Sequence, residues 1–261
     1  MYIESSILAD YFIYGLILLV IASFIAGFID SVAGGAGLVL VPSFILAGLP
    51  PQIALGQEKL VSTLGTFSAI FNFFKSKKIL WSFVAVGVPV ALIGAYIGAK
   101  AILFIDETLV AKLIIFLMPI ALLISFLPKR DESIKVELTT TKRFIIFPLV
   151  TFIIGFYDGF FGPGTGSLLI LALHYIMGLT LVVSSATSKI FNLSSNIGAF
   201  IAFLLAGKML FLIGIPMIIA SITGNYIGSN MTIKRGDSFI RPVLFGMIFV
   251  LFVSLIYKYF I

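Results

Sequence analysis

The sequence predicts an all-α polytopic membrane protein made of two inverted repeats of about five helical segments each, with a broken or re-entrant helix pair at the start of each repeat. Three observations carry this expectation. Hydrophobic residues fill 61% of the 261 positions and charged residues 11%, with mean hydropathy +1.21, whereas an ordinary soluble domain carries about 25% charge. Apolar runs recur along the whole chain, several of them reaching the roughly 20 residues that cross a bilayer core as helix. The second half of the chain also repeats the first at an offset of about 130 residues.

Setting the apolar runs against turn and charge signals gives ten segments, at 11–30, 36–48, 53–74, 80–105, 108–127, 143–161, 165–178, 181–206, 209–233 and 239–260. That divides the chain into a first transmembrane repeat at 1–128, a charged cytoplasmic connector at 129–142 and a second repeat at 143–261. The first segment does not read as a cleaved signal, because Glu4 and Asp10 precede it where a signal peptide needs positive charge.

The matches between halves keep their order and spacing. Gly27-Phe28-Ile29-Asp30 returns as Gly155-Phe156-Tyr157-Asp158, Gly48-Leu49 as Gly178-Leu179, and Lys59 as Lys189. Gly94-Ala95-Tyr96-Ile97-Gly98 returns as Gly224-Asn225-Tyr226-Ile227-Gly228. If every segment changes sides, or if the first two of each half form a hairpin, Lys75, Lys77 and Lys78 share a face with Lys129, Arg130, Lys135, Lys142, Arg143, Lys234, Arg235 and Arg241. Little beyond Lys100, Lys112, Lys208 and Lys258 falls on the other face. Positive charge accumulates on the cytoplasmic side, so the amino terminus is expected outside an inner (cell) membrane and the basic loops inside. Either parity inverts the second half relative to the first, an architecture of transporters.

Composition also excludes. With no cysteine, thiol catalysis, disulfides and Cys-ligated metals are ruled out. The net charge of +6 sits in short loops between apolar runs, so it reads as an orientation signal and not as a nucleic-acid surface. One histidine, no HExxH and no serine triad leave no enzyme active site, and no cofactor or metal is expected.

Segments 36–48 and 165–178 are, at 13 and 14 residues, short for a core about 30 Å thick. Each follows a glycine cluster: Gly34, Gly35, Ala36 and Gly37 in the first half, and Gly162, Pro163, Gly164, Thr165 and Gly166 in the second. Glycine opens unusual backbone conformations and Pro163 removes a donor, so regular helix is expected to break there. Freed N–H groups at the positive end of the following helix form a ready anion site, while close helix packing is the plainer use of the same glycines.

Ionisable residues inside apolar segments cost roughly 2.5–3.5 kcal/mol each at the centre and mark function or pairing. Asp30, Glu58 and Asp158 are candidates for proton coupling, and Lys59 and Lys189 for substrate binding. Structural pairs of Asp30 with Lys59 and of Asp158 with Lys189 are the competing expectation. Both lysines lie about 10 Å into their segments, within reach of snorkelling. Thr187, Ser188 and Asn192 offer oxyanion donors around Lys189, and Asn192 shares its helix face. His174 is a weaker candidate as a proton relay, and Trp81 reads as an interface anchor.

At these residues the chain resembles the TauE/SafE (TSUP) family of sulfite and organosulfonate membrane transporters. The likeness runs over nearly the whole chain, through Gly27-Phe28-Ile29-Asp30, Gly34-Gly35-Ala36-Gly37-Leu38, Pro42, Gly48-Leu49-Pro50, Lys59 and Ala186-Thr187-Ser188-Lys189 followed by Asn192. The resemblance implies transport of a small, sulfur-containing anion across the cytoplasmic membrane and leaves proton coupling open. Two departures stand out. Gln57-Glu58 replaces the threonine and small polar residue common before the first lysine, and Ala36 replaces a glycine. The expected mechanism is alternating access, with the anion held by the backbone of both glycine clusters and by Lys59 or Lys189. A passive anion channel or a non-transport membrane subunit is the alternative. Lipid and a small anionic substrate are the expected partners, and oligomeric state is not encoded legibly.

Overall fold

The computed structural model describes residues 12–81, 84–125 and 142–235. Within them all regular structure is helical: α1 (Phe12–Ala33), α2 (Ala36–Leu46), α3 (Pro51–Lys75), α4 (Val84–Leu103), α5 (Glu107–Ser125), α6 (Phe147–Phe160), α7 (Thr165–Met177), α8 (Leu181–Leu205) and α9 (Phe211–Arg235). A π turn at Lys142–Ile146 leads into α6. It fits Pro148, which has no N–H to close an ordinary helical turn. The segment expected at 239–260 and nearly all of the connector lie outside the described residues.

Four helices, α1, α4, α8 and α9, are long and apolar enough to cross a membrane, and the chain is an all-α polytopic membrane protein. Helix α3 has the length as well, 25 residues, but carries Gln57, Glu58, Lys59, Ser62 and Thr63 along its buried surface. Its polar side chains face protein because lipid offers them no hydrogen bonds. By contrast Ile13, Tyr14, Leu18 and Ile21 on α1 are exposed and suit lipid. Helices α2 and α7 have 11 and 13 residues, so at 1.5 Å per residue they extend only about 16–20 Å and neither crosses the core alone.

Association of helices in lipid rests on close packing and hydrogen bonds, since lipid chains are as apolar as leucine. Small residues therefore occupy the tightest seams. Helix α4 packs along α6, and α9 packs along α1. A Cβ added at Gly159 of α6 would lie 1.8 Å from the Ala95 carbonyl oxygen of α4, and one at Gly98 of α4 would lie 2.0 Å from the Phe156 carbonyl oxygen of α6. Gly224 and Gly228 of α9 meet the backbone of Phe24 and Phe28 in the same way. Close contact between helices is thus what the paired Gly94/Gly98 and Gly224/Gly228 motifs do.

Each of these seams joins a helix from one matched half to a helix from the other. Helices α3 and α8 pack together at the centre, α4 also lies on α8, and α9 also lies on α3. Each of these contacts between the halves thus has a counterpart with the roles exchanged. At the surface Trp81 is half exposed, its ring edge-on to Phe74 at 6.0 Å.

Candidate functional site

Helix α1 ends at Ala33 and α6 at Phe160, and the chain turns at glycines before α2 and α7 begin. Gly34 has φ +73° and Gly162 φ +93°, conformations that L side chains rarely adopt. The two breaks touch. A Cβ at Gly34 would fall 2.4 Å from the Gly166 backbone carbon, and one at Gly37 would fall 3.1 Å from the Cα of Pro163. Ser167 donates its hydroxyl to the carbonyls of Ala33 (3.0 Å) and Gly34 (2.7 Å), stitching α7 to the end of α1. Tyr157 donates to the Pro163 carbonyl at 2.7 Å and braces the second turn.

Among the described residues neither short helix has a side-chain cap; Gly35 and Gly164 stand at their N-cap positions. The first N–H groups of a helix have no partner within it. Ala36, Gly37 and Gly166, which lie in these first turns, line a cavity together with Gly35, Gly162, Gly164, Thr165, Asp30, Glu58, Ser62, Asp158, Asn192 and Asn196. Its volume is about 10 Å³, close to the minimum that holds one water molecule.

The charges behind this cavity are paired across the halves, and the expected pairing of Asp30 with Lys59 and of Asp158 with Lys189 is wrong. Lys59 donates to Asp158 Oδ1 at 2.7 Å and to Asn196 Oδ1 at 3.1 Å, and its ammonium is 3.0 Å from Glu58 Oε2. Lys189 lies 2.9 Å from Asp30 Oδ2 and also donates to the Asp30 carbonyl. The reason is the packing of α3 on α8, which brings each lysine to the end of the other half's first helix. Nor do the lysines snorkel, being 1% and 0% exposed.

The aspartates are held on both oxygens. Asp158 Oδ2 accepts from Ser195 at 2.6 Å, and Asp30 Oδ1 accepts from the Gly35 N–H at 3.2 Å. Glu58 Oε1 accepts from Ser62 at 2.7 Å, while Oε2 has no hydrogen-bond donor among the described residues beyond the neighbouring ammonium. Counted as ionised, Asp30, Glu58 and Asp158 against Lys59 and Lys189 leave a surplus of one negative charge. The N-termini of α2 and α7 contribute roughly half a positive charge each and offset it.

Of the residues singled out in the sequence, Asp30, Gly35, Ala36, Gly37, Glu58, Asp158, Gly162, Gly164, Thr165, Gly166 and Asn192 meet at the cavity. Gly34 lies just behind it, against Gly166. Lys59 and Lys189 stand behind the carboxylates. Thr187 and Ser188 are turned elsewhere: Thr187 Oγ1 accepts from the Leu80 N–H at 3.0 Å, and the Ser188 hydroxyl bonds the Ser185 carbonyl at 2.8 Å. His174 is away from the cavity as well. Its Nδ1 is 2.6 Å from the Leu179 carbonyl, which makes Nδ1 the protonated nitrogen and gives the ring a structural bond at the α7–α8 turn.

Ser62, Ser195 and Asn196 belong to the polar residues flanking the two lysines in the sequence, for most of which bonding between helices is the favoured use over oxyanion coordination; the structure puts Ser62 and Asn196 on the cavity wall and Ser195 on Asp158. A signal for the site was present for two of them: Ser62 is one helical turn beyond Glu58, and Asn196 is two turns beyond Lys189 on its face.

A polytopic helical fold with two broken helices meeting at a buried charged cavity is the build of a membrane transporter. The family model for Sulfite exporter TauE/SafE matches residues 19–255, and the chain belongs to that family. A relative from Haemophilus influenzae, named a probable membrane transporter protein, is 36% identical over 249 residues, covering 93% of this chain and 94% of its own length. The Escherichia coli K12 protein YfcA, of the same description, is 31% identical over 237 residues, covering 89% and 86%. A Sinorhizobium relative, ORF9, is 33% identical over 229 residues, covering 87% and 86%. No solved structure matches the chain.

Proposed function

We propose that the chain is a secondary transporter that moves a small anion across the cytoplasmic membrane by alternating access, with a proton carried on Glu58. The observation that carries this is the cavity where the N-termini of α2 and α7, one from each half, converge beside Asn192, Asn196 and Ser62. Exposed N–H groups and amide or hydroxyl side chains solvate an oxyanion without a fixed counter-charge. The family's name, Sulfite exporter, favours a sulfite- or sulfonate-like cargo.

Charge balance supports the proton. The resting cluster is close to neutral once the helix ends are counted, so an added anion needs one positive charge with it. Glu58 lines the cavity, its Oε2 has the Lys59 ammonium as its single partner among the described residues, and it has no counterpart in the other half, where Ser188 stands. A cavity the size of one water molecule fits a carrier better than an open channel.

The exchanged contacts of α4 with α6 and of α9 with α1 support two inverted repeats, at 1–128 and 143–261, rocking about their seam. On that reading the amino terminus and the α8–α9 connection face outward and the basic loops face the cytoplasm.

The test is uptake or efflux of sulfite and sulfoacetate in proteoliposomes with an imposed pH gradient. Transport is expected to be driven by the gradient and to saturate with substrate. Single-channel currents would replace the carrier with a channel, and no flux of any small anion would overturn the reading.

A further inference from the structure

Gln57 and Thr187 occupy matching positions, each two residues before its lysine. Each binds the backbone of the connection that enters the fourth helix of the opposite half. Gln57 Oε1 accepts from the Leu210 N–H at 3.0 Å, and its Nε2 donates to the Leu210 carbonyl at 3.1 Å. Thr187 Oγ1 accepts from the Leu80 N–H at 3.0 Å. Leu80 and Leu210 are matching positions too, so one device occurs twice, once at each end of the lysine-bearing pair α3 and α8.

We propose that Gln57 and Thr187 are positioning residues that act as the two end latches of the cavity. Release of one lets the halves part toward one membrane face, and release of the other lets them part toward the opposite face. The proposal rests on the alternating-access reading above. Satisfying the backbone of these turns is the plain structural use of such bonds; their recurrence at matching positions, each time reaching from one half to the other, is what points to the latches.

The latches are unequal. The Gln57 end has two hydrogen bonds, and Lys208 in the same connection pairs with Glu107 of α5 at 3.0 Å. Helix α3 also lies flush on this connection, since a Cβ at Gly56 would fall 2.2 Å from the Lys208 carbonyl oxygen. Thr187 contributes one hydrogen bond. Asn72, at the end of α3 that leads to Leu80, adds bonds across the halves to Ser229 Oγ (2.8 Å) and the Tyr226 carbonyl (3.1 Å), so the difference lies in the latches themselves, each net hydrogen bond biasing an equilibrium about 5-fold.

The absence of native cysteine makes the test direct. Ala36→Cys places a single thiol on the cavity wall, and a membrane-impermeant maleimide is applied to each face of sealed vesicles. Thr187→Val is expected to raise labelling from one face about 5-fold, and Gln57→Leu to raise it from the opposite face about 25-fold. Thr187→Ser, which keeps the hydroxyl, returns labelling to the parent level. Gly56→Ala, which wedges the connection off α3, reads the Gln57 end by a second route should Gln57→Leu fail to fold.

Labelling that rises at the same face for both ends, or that does not change in variants whose melting temperatures show them folded, overturns the latches. The measurement needs no substrate. Sided labelling without anion uptake would therefore keep the latches and remove the cargo, and uptake without sided labelling would do the reverse.

Discussion

Lys59 and Asp158 lie 99 positions apart and meet at 2.7 Å, both almost fully buried. The contact ties the third helix of the first half to the break in the second, and Lys189 with Asp30 makes the reciprocal tie at 2.9 Å. Removing one member of a buried pair strands its partner's charge, at a cost of about 3–5 kcal/mol, whereas replacing both by neutral groups costs much less. Lys59→Met and Asp158→Asn should each lower the melting temperature in detergent sharply, and the double variant should recover the part due to Asp158, Glu58 still lacking the ammonium 3.0 Å from its Oε2. Crossing the pairs tests the geometry: Lys59→Met with Asp30→Asn should show no recovery.

Gly162 combines a φ of +93° with a neighbour in the way, for an added Cβ would lie 2.8 Å from the Lys59 ammonium. Gly162→Ala is therefore expected to cost about 1–3 kcal/mol through backbone strain, and more through displacement of Lys59. Its effect on melting should exceed that of Gly207→Ala, where φ is +66° and no described atom would lie within 4 Å of the new methyl group.

The α4–α6 seam is set by backbone contact. At Gly159 a methyl group would meet the Ala95 carbonyl oxygen at 1.8 Å. Gly159→Ala must push the helices apart, with a destabilisation of about 1–3 kcal/mol or more by overpacking. Thermal melting of purified protein reads this, and Gly159→Leu should not accumulate as folded protein.

Residues at the cavity and residues turned from it should separate in transport. Asn192→Ala and Asn196→Ala remove donors that line the cavity and are expected to lower initial uptake rates about 10-fold or more, taking about 1.5–3 kcal/mol per hydrogen bond to a charged ligand. Ser188→Ala, which removes a hydroxyl bonded to its own helix, should leave uptake within about twofold. Equal losses in all three would place the binding region elsewhere.

Glu58→Gln keeps the shape of the side chain and removes its proton chemistry. Carriage of a proton predicts uptake that declines as pH rises, because fewer proteins hold the proton that must accompany the anion. The amide introduced by Glu58→Gln is neutral at every pH, so it should flatten that profile and uncouple uptake from an imposed pH gradient. A profile unchanged by the substitution would assign coupling to Asp30 or Asp158 instead.

Read along the chain alone, the legible features are local. Long apolar runs can only be satisfied as membrane helices, Gly34 and Gly162 mark chain reversals because of their own conformational freedom, and Lys59 and Lys189 stand out because charge is costly in lipid. Packing settles which of these local features meet. The crossing of α3 and α8 sends each lysine to the far aspartate, turns Thr187 toward Leu80 and Gln57 toward Leu210, and brings Ser62 and Asn196 onto the cavity wall. Side-chain periodicity identifies a face of a helix. What that face opposes depends on which other helices pack against it, and backbone approach at glycine seams such as Gly98 with Phe156 sets that across the whole chain.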